Sequence, residues 1–89
     1  MTEIKEELIG KTIHYYPKVG VAMVKLSGTL EMGDTVRIVG GKHKSTNFEQ
    51  EVESIRLDDK PINTANADDL IGLRVPKKVP KNSNVYKIT

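Results

Sequence analysis

Along the 89-residue chain, apolar positions recur in short runs divided by Gly, Pro, Asn and Asp, and no stretch keeps a helical period of useful length. The pattern predicts an all-β domain. A first strand over 9–16 sets Ile9, Lys11, Ile13 and Tyr15 on one face and Gly10, Thr12, His14 and Tyr16 on the other. A second over 19–26 is apolar on both faces until Lys25, as expected of a strand that lines a core and also packs against something outside it. Ser27-Gly28 and Gly33-Asp34 bracket a tight connection with Leu30 and Met32 directed inward. A third strand follows over 35–39, with Val36 and Ile38 on one face. Over 50–57, Val52 has one parity and Ile55 and Leu57 the other, so a fourth strand there requires a β-bulge. The fifth spans 70–75 with Ile71, Leu73 and Val75 aligned, and the last spans 85–88.

Six strands without a long unpaired edge predict a single closed, six-stranded antiparallel β-barrel over 9–89, preceded by an N-terminal arm over 1–8. A polar loop covers 42–47. Asp58-Asp59-Lys60-Pro61 is turn chemistry, and the stretch beyond it to Asp69 reads as a loop anchored by Ile62.

Composition narrows the class. With 37% hydrophobic and 29% charged residues the chain has enough Val, Ile and Leu to fold and too much charge for a membrane protein. It contains no cysteine, which removes disulfides and thiol chemistry and favours a cytoplasmic location. The opening residues lack the pattern of a signal peptide, and the apolar run over 19–24 is far too short to span a bilayer, so a soluble protein without membrane contact is expected. A net charge of +2 creates no global field, leaving only local basic patches to attract anions.

Tests for catalytic chemistry fail in turn. A phosphate-binding P-loop needs glycine where Val36 precedes Gly41-Lys42, and Ser or Thr where His43 follows; Gly28 to Gly33 has the glycine spacing but runs into Asp34. His14 and His43 have no partners at metal-ligand spacing. Glu51 with Glu53, and the pairs Asp58-Asp59 and Asp68-Asp69, are explained by a solvated strand face and by turns. Ser27, Ser45, Ser54 and Ser83 lack a nucleophile elbow. The chain is expected not to be an enzyme and to hold no cofactor, nucleotide or metal.

Binding remains. Lys42 and Lys44 share one loop, Lys77, Lys78 and Lys81 share another, and Arg37, Arg56 and Arg74 project opposite the apolar parity. Brought together, Lys42, Lys44, Arg56, Arg74, Lys77, Lys78 and Lys81 make a phosphate-contacting face for nucleic acid; left apart, they are ordinary solubilising lysines. Val19, Val21 and Met23, apolar on the side a strand does not need for its own core, are candidates for a protein interface. Phe48 is expected to anchor its loop under the core.

The segment from Gly28 through Gly33-Asp34 to Ile38, the run Val52-Glu53-Ser54-Ile55, and the approach from Ala65 to Leu73 together resemble the β-barrel second domain of translational GTPases such as elongation factor Tu. The whole chain is similar to short stand-alone proteins described as translation-elongation-factor-like, and a similar barrel also ends the collagenase-like family of peptidases. Where the translational GTPase barrel commonly has Gly-Asp, this chain has Asp68-Asp69 and Asn82-Ser83, turn positions at which Asp and Asn accept a left-handed backbone. The resemblance implies a non-catalytic module associated with the ribosome, ribosomal RNA or transfer RNA, without GTPase activity of its own. The alternative is a barrel that docks on a separately encoded protein.

Overall fold

The computed structural model describes residues 5–41 and 46–88. Its strands are β1 (Glu6–Tyr16), β2 (Val21–Leu26), β3 (Leu30–Glu31), β4 (Thr35–Gly40), β5 (Thr46–Glu51), β6 (Ile55–Leu57), β7 (Lys60–Ile62), β8 (Thr64–Ala65), β9 (Leu70–Arg74) and β10 (Asn84–Ile88). Eight of them form one antiparallel sheet in the order β5-β4-β10-β1-β2-β9-β6-β7, and β3 pairs with β8 in a second.

β1 begins three residues before the predicted strand and serves two neighbours. Its first part pairs with β10, from Glu6↔Ile88 to Lys11↔Asn84, and its later part with β2, from Gly10↔Leu26 to Tyr16↔Val21. The register slips once in each ladder, between Leu8 and Gly10 and between Thr12 and His14. Each slip is a bulge that inserts a residue and exchanges the two faces. Ile9 and Thr12 are therefore both fully buried despite opposite parity, Ile13 lies 39% exposed, and Tyr15 packs on the core again. Strict alternation, which grouped Ile9 with Ile13 and Tyr15, fails at these two points. The bulges also bend the strand, and the sheet rolls with it. Its inner face becomes a single apolar cluster of Ile9, Ala22, Val24, Leu26, Val36, Ile38, Ile55, Ile71, Leu73 and Val85, capped by Leu30, Val52, Ala65, Val75 and Val79.

The closed six-stranded barrel does not form, because β5 and β7 end the sheet and share no ladder. The predicted fourth strand is in fact two. β5 pairs with β4 along its whole length, while β6 lies near the opposite end, between β9 and β7. Residues 52–54 link them, with Val52 buried in the core. Four residue steps from Glu51 to Ile55 reach at most about 14 Å, so the two ends of the sheet are neighbours without being backbone partners. A side chain crosses instead: Gln50 Nε2 donates to the Arg74 carbonyl at 2.7 Å. At the other edge, Pro61 in β7 has no N–H to extend a ladder.

Three turns share one design. In Glu31-Met32-Gly33-Asp34, Asn66-Ala67-Asp68-Asp69 and Pro80-Lys81-Asn82-Ser83, the fourth N–H donates to the first carbonyl at 3.2, 3.1 and 3.3 Å. The third residue has φ of +90° at Gly33, +74° at Asp68 and +68° at Asn82, the left-handed backbone expected at Asp68 and Asn82. The fourth side chain folds back: Asp34 Oδ2 accepts the Glu31 N–H and Asp69 Oδ2 the Asn66 N–H, each at 2.9 Å, and Ser83 Oγ donates to the Pro80 carbonyl at 2.7 Å. In the first of these turns Met32 is carried outward to 40% exposure, against the inward position predicted for it.

The third turn is tied to β1. Thr12 Oγ1 donates to the Pro80 carbonyl and accepts the Ser83 N–H, both at 2.8 Å, while Thr12 N–H donates to Ser83 O and Asn82 N–H to Thr12 O, also at 2.8 Å. Both side chains are fully buried. Gly40 presses against this knot so closely that a Cβ there would lie 2.0 Å from Ser83 Oγ. Thr12→Val leaves buried partners unsatisfied and is expected to cost about 1–3 kcal/mol, and Gly40→Ala to destabilise as well, both read from urea unfolding midpoints. Asn82→Gly relieves a left-handed non-glycine residue and should raise the midpoint, by up to about 1 kcal/mol.

Candidate functional site

The outer face of β2, β9 and β6 carries a groove of about 960 Å³. Its floor follows from register. Val21 faces Arg74, Met23 faces Gly72 and Lys25 faces Leu70, while Arg56 lies on the far side of Gly72. These positions alternate with Ala22, Val24, Ile71, Leu73 and Ile55, which are buried in the core, so the first set points away from it. Gly72 sits in the middle of the central strand. A Cβ at this position would come within 3.2 Å of Val21 Cγ1, and without one a depression opens between Met23 and Arg56.

The two ends of the groove differ in charge. Beside Val21 and Arg74, the β1–β2 turn adds Tyr16, Lys18 and Val19; Tyr16 is 47% and Val19 59% exposed. Beside Leu70, the β6–β7 turn contributes Asp58 and Asp59 and the β8–β9 turn contributes Asp68 and Asp69, with the Lys25 ammonium donating to the Asp68 carbonyl at 2.8 Å, so carboxylates outnumber cations at this end. Asp58 and Asp59 both have positive φ, 52° and 63°, as a two-residue hairpin turn requires. The Asp69 carboxylate is already engaged by Asn66 N–H. Among the described residues the ion pairs belong to Arg37, with Glu6 at 2.5 Å and Glu49 at 3.1 Å, and to Lys87 with Asp34 at 3.8 Å, so none of them uses the groove's charges.

Five residues predicted for binding meet here, and they come from both candidate sets: Val19, Val21 and Met23 from the apolar one, Arg56 and Arg74 from the basic one. The continuous basic face does not assemble among the described residues. Lys77 extends over the Phe48 ring, 5.7 Å from its centroid, and Lys78 and Lys81 are exposed along residues 76–82, away from the groove. Lys42, His43 and Lys44 lie outside the described residues. Phe48 is a half-buried strand residue packed on the core, and His14 stands edge-on to Tyr16 with ring centroids 4.4 Å apart. Among the described residues no three potential metal ligands converge. Sequence reasoning missed Gly72, Leu70 and the role of the aspartates. An isolated glycine inside an apolar strand was the signal available for the first, since it marks a bulge or a close approach.

The fold defines the class of domain: it is similar to an all-β domain solved at the C-terminus of a protein assigned to the U32 peptidases. Two structures of that domain from a Geobacillus thermoleovorans protein assigned to the U32 peptidases match this chain, one with a TM-score of 0.82 over 91% of both chains at 24% identity. The other, its selenomethionine variant, has a TM-score of 0.81 over 89% of this chain and 96% of that one at 23% identity. At such identities the likeness carries the fold. In sequence, an uncharacterised protease of Methanocaldococcus jannaschii is 32% identical over 79 residues, which are 88% of this chain and 19% of that protein. The chain thus spans about a fifth of the protease it matches. No protein-family model matches it.

These findings overturn the resemblance to elongation factor Tu, and with it the expected association with ribosome, ribosomal RNA or transfer RNA: the relatives are described as peptidases or proteases, not as translation factors. The physical source of the error is visible. Two of the three features that carried the resemblance were a Gly-Asp turn before a strand and the run Val52-Glu53-Ser54-Ile55. The turn is a local reversal used three times in this chain alone, and the run is the link between two strands rather than a strand. Neither is specific to one family of β folds.

If the groove residues face outward as described, Val21→Lys and Arg56→Glu keep the cooperative thermal transition within a few degrees of the parent, whereas Val24→Lys abolishes it. Circular dichroism melting distinguishes the two outcomes.

Proposed function

We propose that this chain is a non-catalytic binding domain of the kind that accompanies U32-type peptidases, and that the groove over Gly72 grips a segment of another polypeptide. The observation that carries this reading is the outward row Val21, Met23 and Leu70 around a floor opened by a glycine, in a domain whose core is already complete on the other face. Apolar side chains set in a concave strip, with charges at the rim, suit a protein partner. Peptide hydrolysis needs an activated nucleophile or water, a base and an oxyanion donor in one place. The groove's lining holds Ser54 with arginines, aspartates and apolar side chains, and among the described residues no hydrogen bond joins the Ser54 hydroxyl to a carboxylate that would serve as its base. The description of the sequence relative as a protease, over a length of which this chain matches about a fifth, fits a division of labour in which chemistry lies elsewhere.

The test titrates denatured casein into the isotopically labelled chain and follows both amide shifts and casein fragments. Shifts clustered at Val21, Met23, Arg56 and Gly72, with casein intact by mass spectrometry, are the expected result. Fragments whose release disappears in Ser54→Ala, or shifts confined to residues away from the groove, would overturn it.

A further inference from the structure

We propose, resting on the reading of the groove as a polypeptide site, that its occupant is an extended segment with an acidic, a large apolar and a basic residue at alternate positions. The charge order is fixed in space: the acidic residue lies at Arg74 and Lys18, the apolar one over Gly72, and the basic one among Asp58, Asp59 and Asp68.

The spacing comes from β9. From Arg74 to Leu70 is four residue steps, about 13 Å at the rise of a strand. An extended guest lying along β9 covers the same distance in the same number of residues, and its side chains alternate toward and away from the groove. Those that face it are therefore i, i+2 and i+4. The residue at i+2 meets the depression where Gly72 has no side chain, between Met23 on β2 and Arg56 on β6, so a Leu or Phe fills it. The charges at i and i+4 then meet groups of opposite sign that are free of ion pairs among the described residues. A uniformly basic segment meets Arg56 and Arg74, and a uniformly acidic one, like the phosphates of a nucleic acid, meets three free carboxylates. The site thus rejects both.

The probe is a short synthetic peptide with Glu, Leu and Lys at alternate positions separated by Ser. Controls replace the Lys by Glu, replace the Glu by Lys, or shift the Lys by one position so that the two charges fall on opposite faces. The mixed peptide is expected to bind about tenfold more tightly than each control, to weaken with added salt, and to give amide shifts around Gly72. A spin label at its basic end should broaden the amides of Asp58, Asp59 and Asp68, and one at its acidic end those of Lys18 and Arg74. The double variant Arg56→Glu with Arg74→Glu should transfer the preference to the peptide with two lysines, and Gly72→Ala, checked for an intact melting transition, should weaken binding of the Leu peptide. Equal binding of all peptides in the groove overturns the proposed pattern while leaving the groove as a polypeptide site. So does a groove that answers to denatured casein but to none of the peptides. If neither casein nor any peptide perturbs the groove, both readings fall, and a short RNA that shifts the same amides as strongly as the mixed peptide overturns the pattern as well.

Discussion

The curvature of β1 is the constraint on which the rest of this molecule depends. One strand must pair with β10 on one side and β2 on the other while the sheet turns around a core, and it does so by inserting a residue at two places. Without those bulges the inward set would stay on one parity, Thr12 would face solvent, and the knot joining Thr12 to Pro80 and Ser83 would have no anchor. That knot fixes the long connection over 75–83, which in turn supplies Val75 and Val79 to the core. A local irregularity in one strand therefore determines where a distant loop packs.

The groove is the outer counterpart of the same roll. Rolling commits one face of β2, β9 and β6 to the core and leaves the other as an outer surface, which has no packing reason to be apolar. Yet Val21, Met23 and Leu70 occupy it, and the central residue is glycine. A bulky β-branched residue would suit the strand interior better by propensity. The departure from local preference is confined to the position where a concavity results, a conflict of the kind that functional surfaces show.

Parts of this architecture were legible in the residues. β4 and β9 follow from strict alternation, with Val36 and Ile38, and Ile71 and Leu73, all buried as their parity requires. The left-handed positions at Asp68 and Asn82 were readable as turn chemistry. The division of one predicted strand into β5 and β6 was not, because parity reports which face a residue takes and says nothing of which partner the strand has. Val52 is apolar in either arrangement. Its backbone gives the difference away, since its N–H donates to Asp34 and its carbonyl accepts from Gly33, outside the main sheet. Closure was misjudged for a related reason: short strands with polar edges are needed both to close a barrel and to protect an open sheet whose ends lie side by side. The site was half legible. Both candidate sets contributed members, but they had been assigned to different surfaces, and only the pairing of β2, β9 and β6 shows that they share one.

Charge illustrates why sequence proximity misleads here. Asp34 and Asp69 follow Gly33 and Asp68 in equivalent turns, and each spends its carboxylate on the backbone N–H three residues earlier. Asp58, Asp59 and Asp68 stand in turns as well, but their backbones, not their carboxylates, make the reversal through positive φ. Their side chains are left for solvent or for a guest. The same split holds for the arginines: Arg37 is held between Glu6 and Glu49, whereas Arg56 and Arg74 are unpaired among the described residues and share a groove. What matters for recognition is thus not the number of charges, which nearly cancel over the chain, but which of them the fold has already used. Those left over are of both signs, with Arg74 at one end of an apolar strip, the aspartates at the other and Arg56 beside its middle, an arrangement that favours a guest with a charge order of its own over a polyanion.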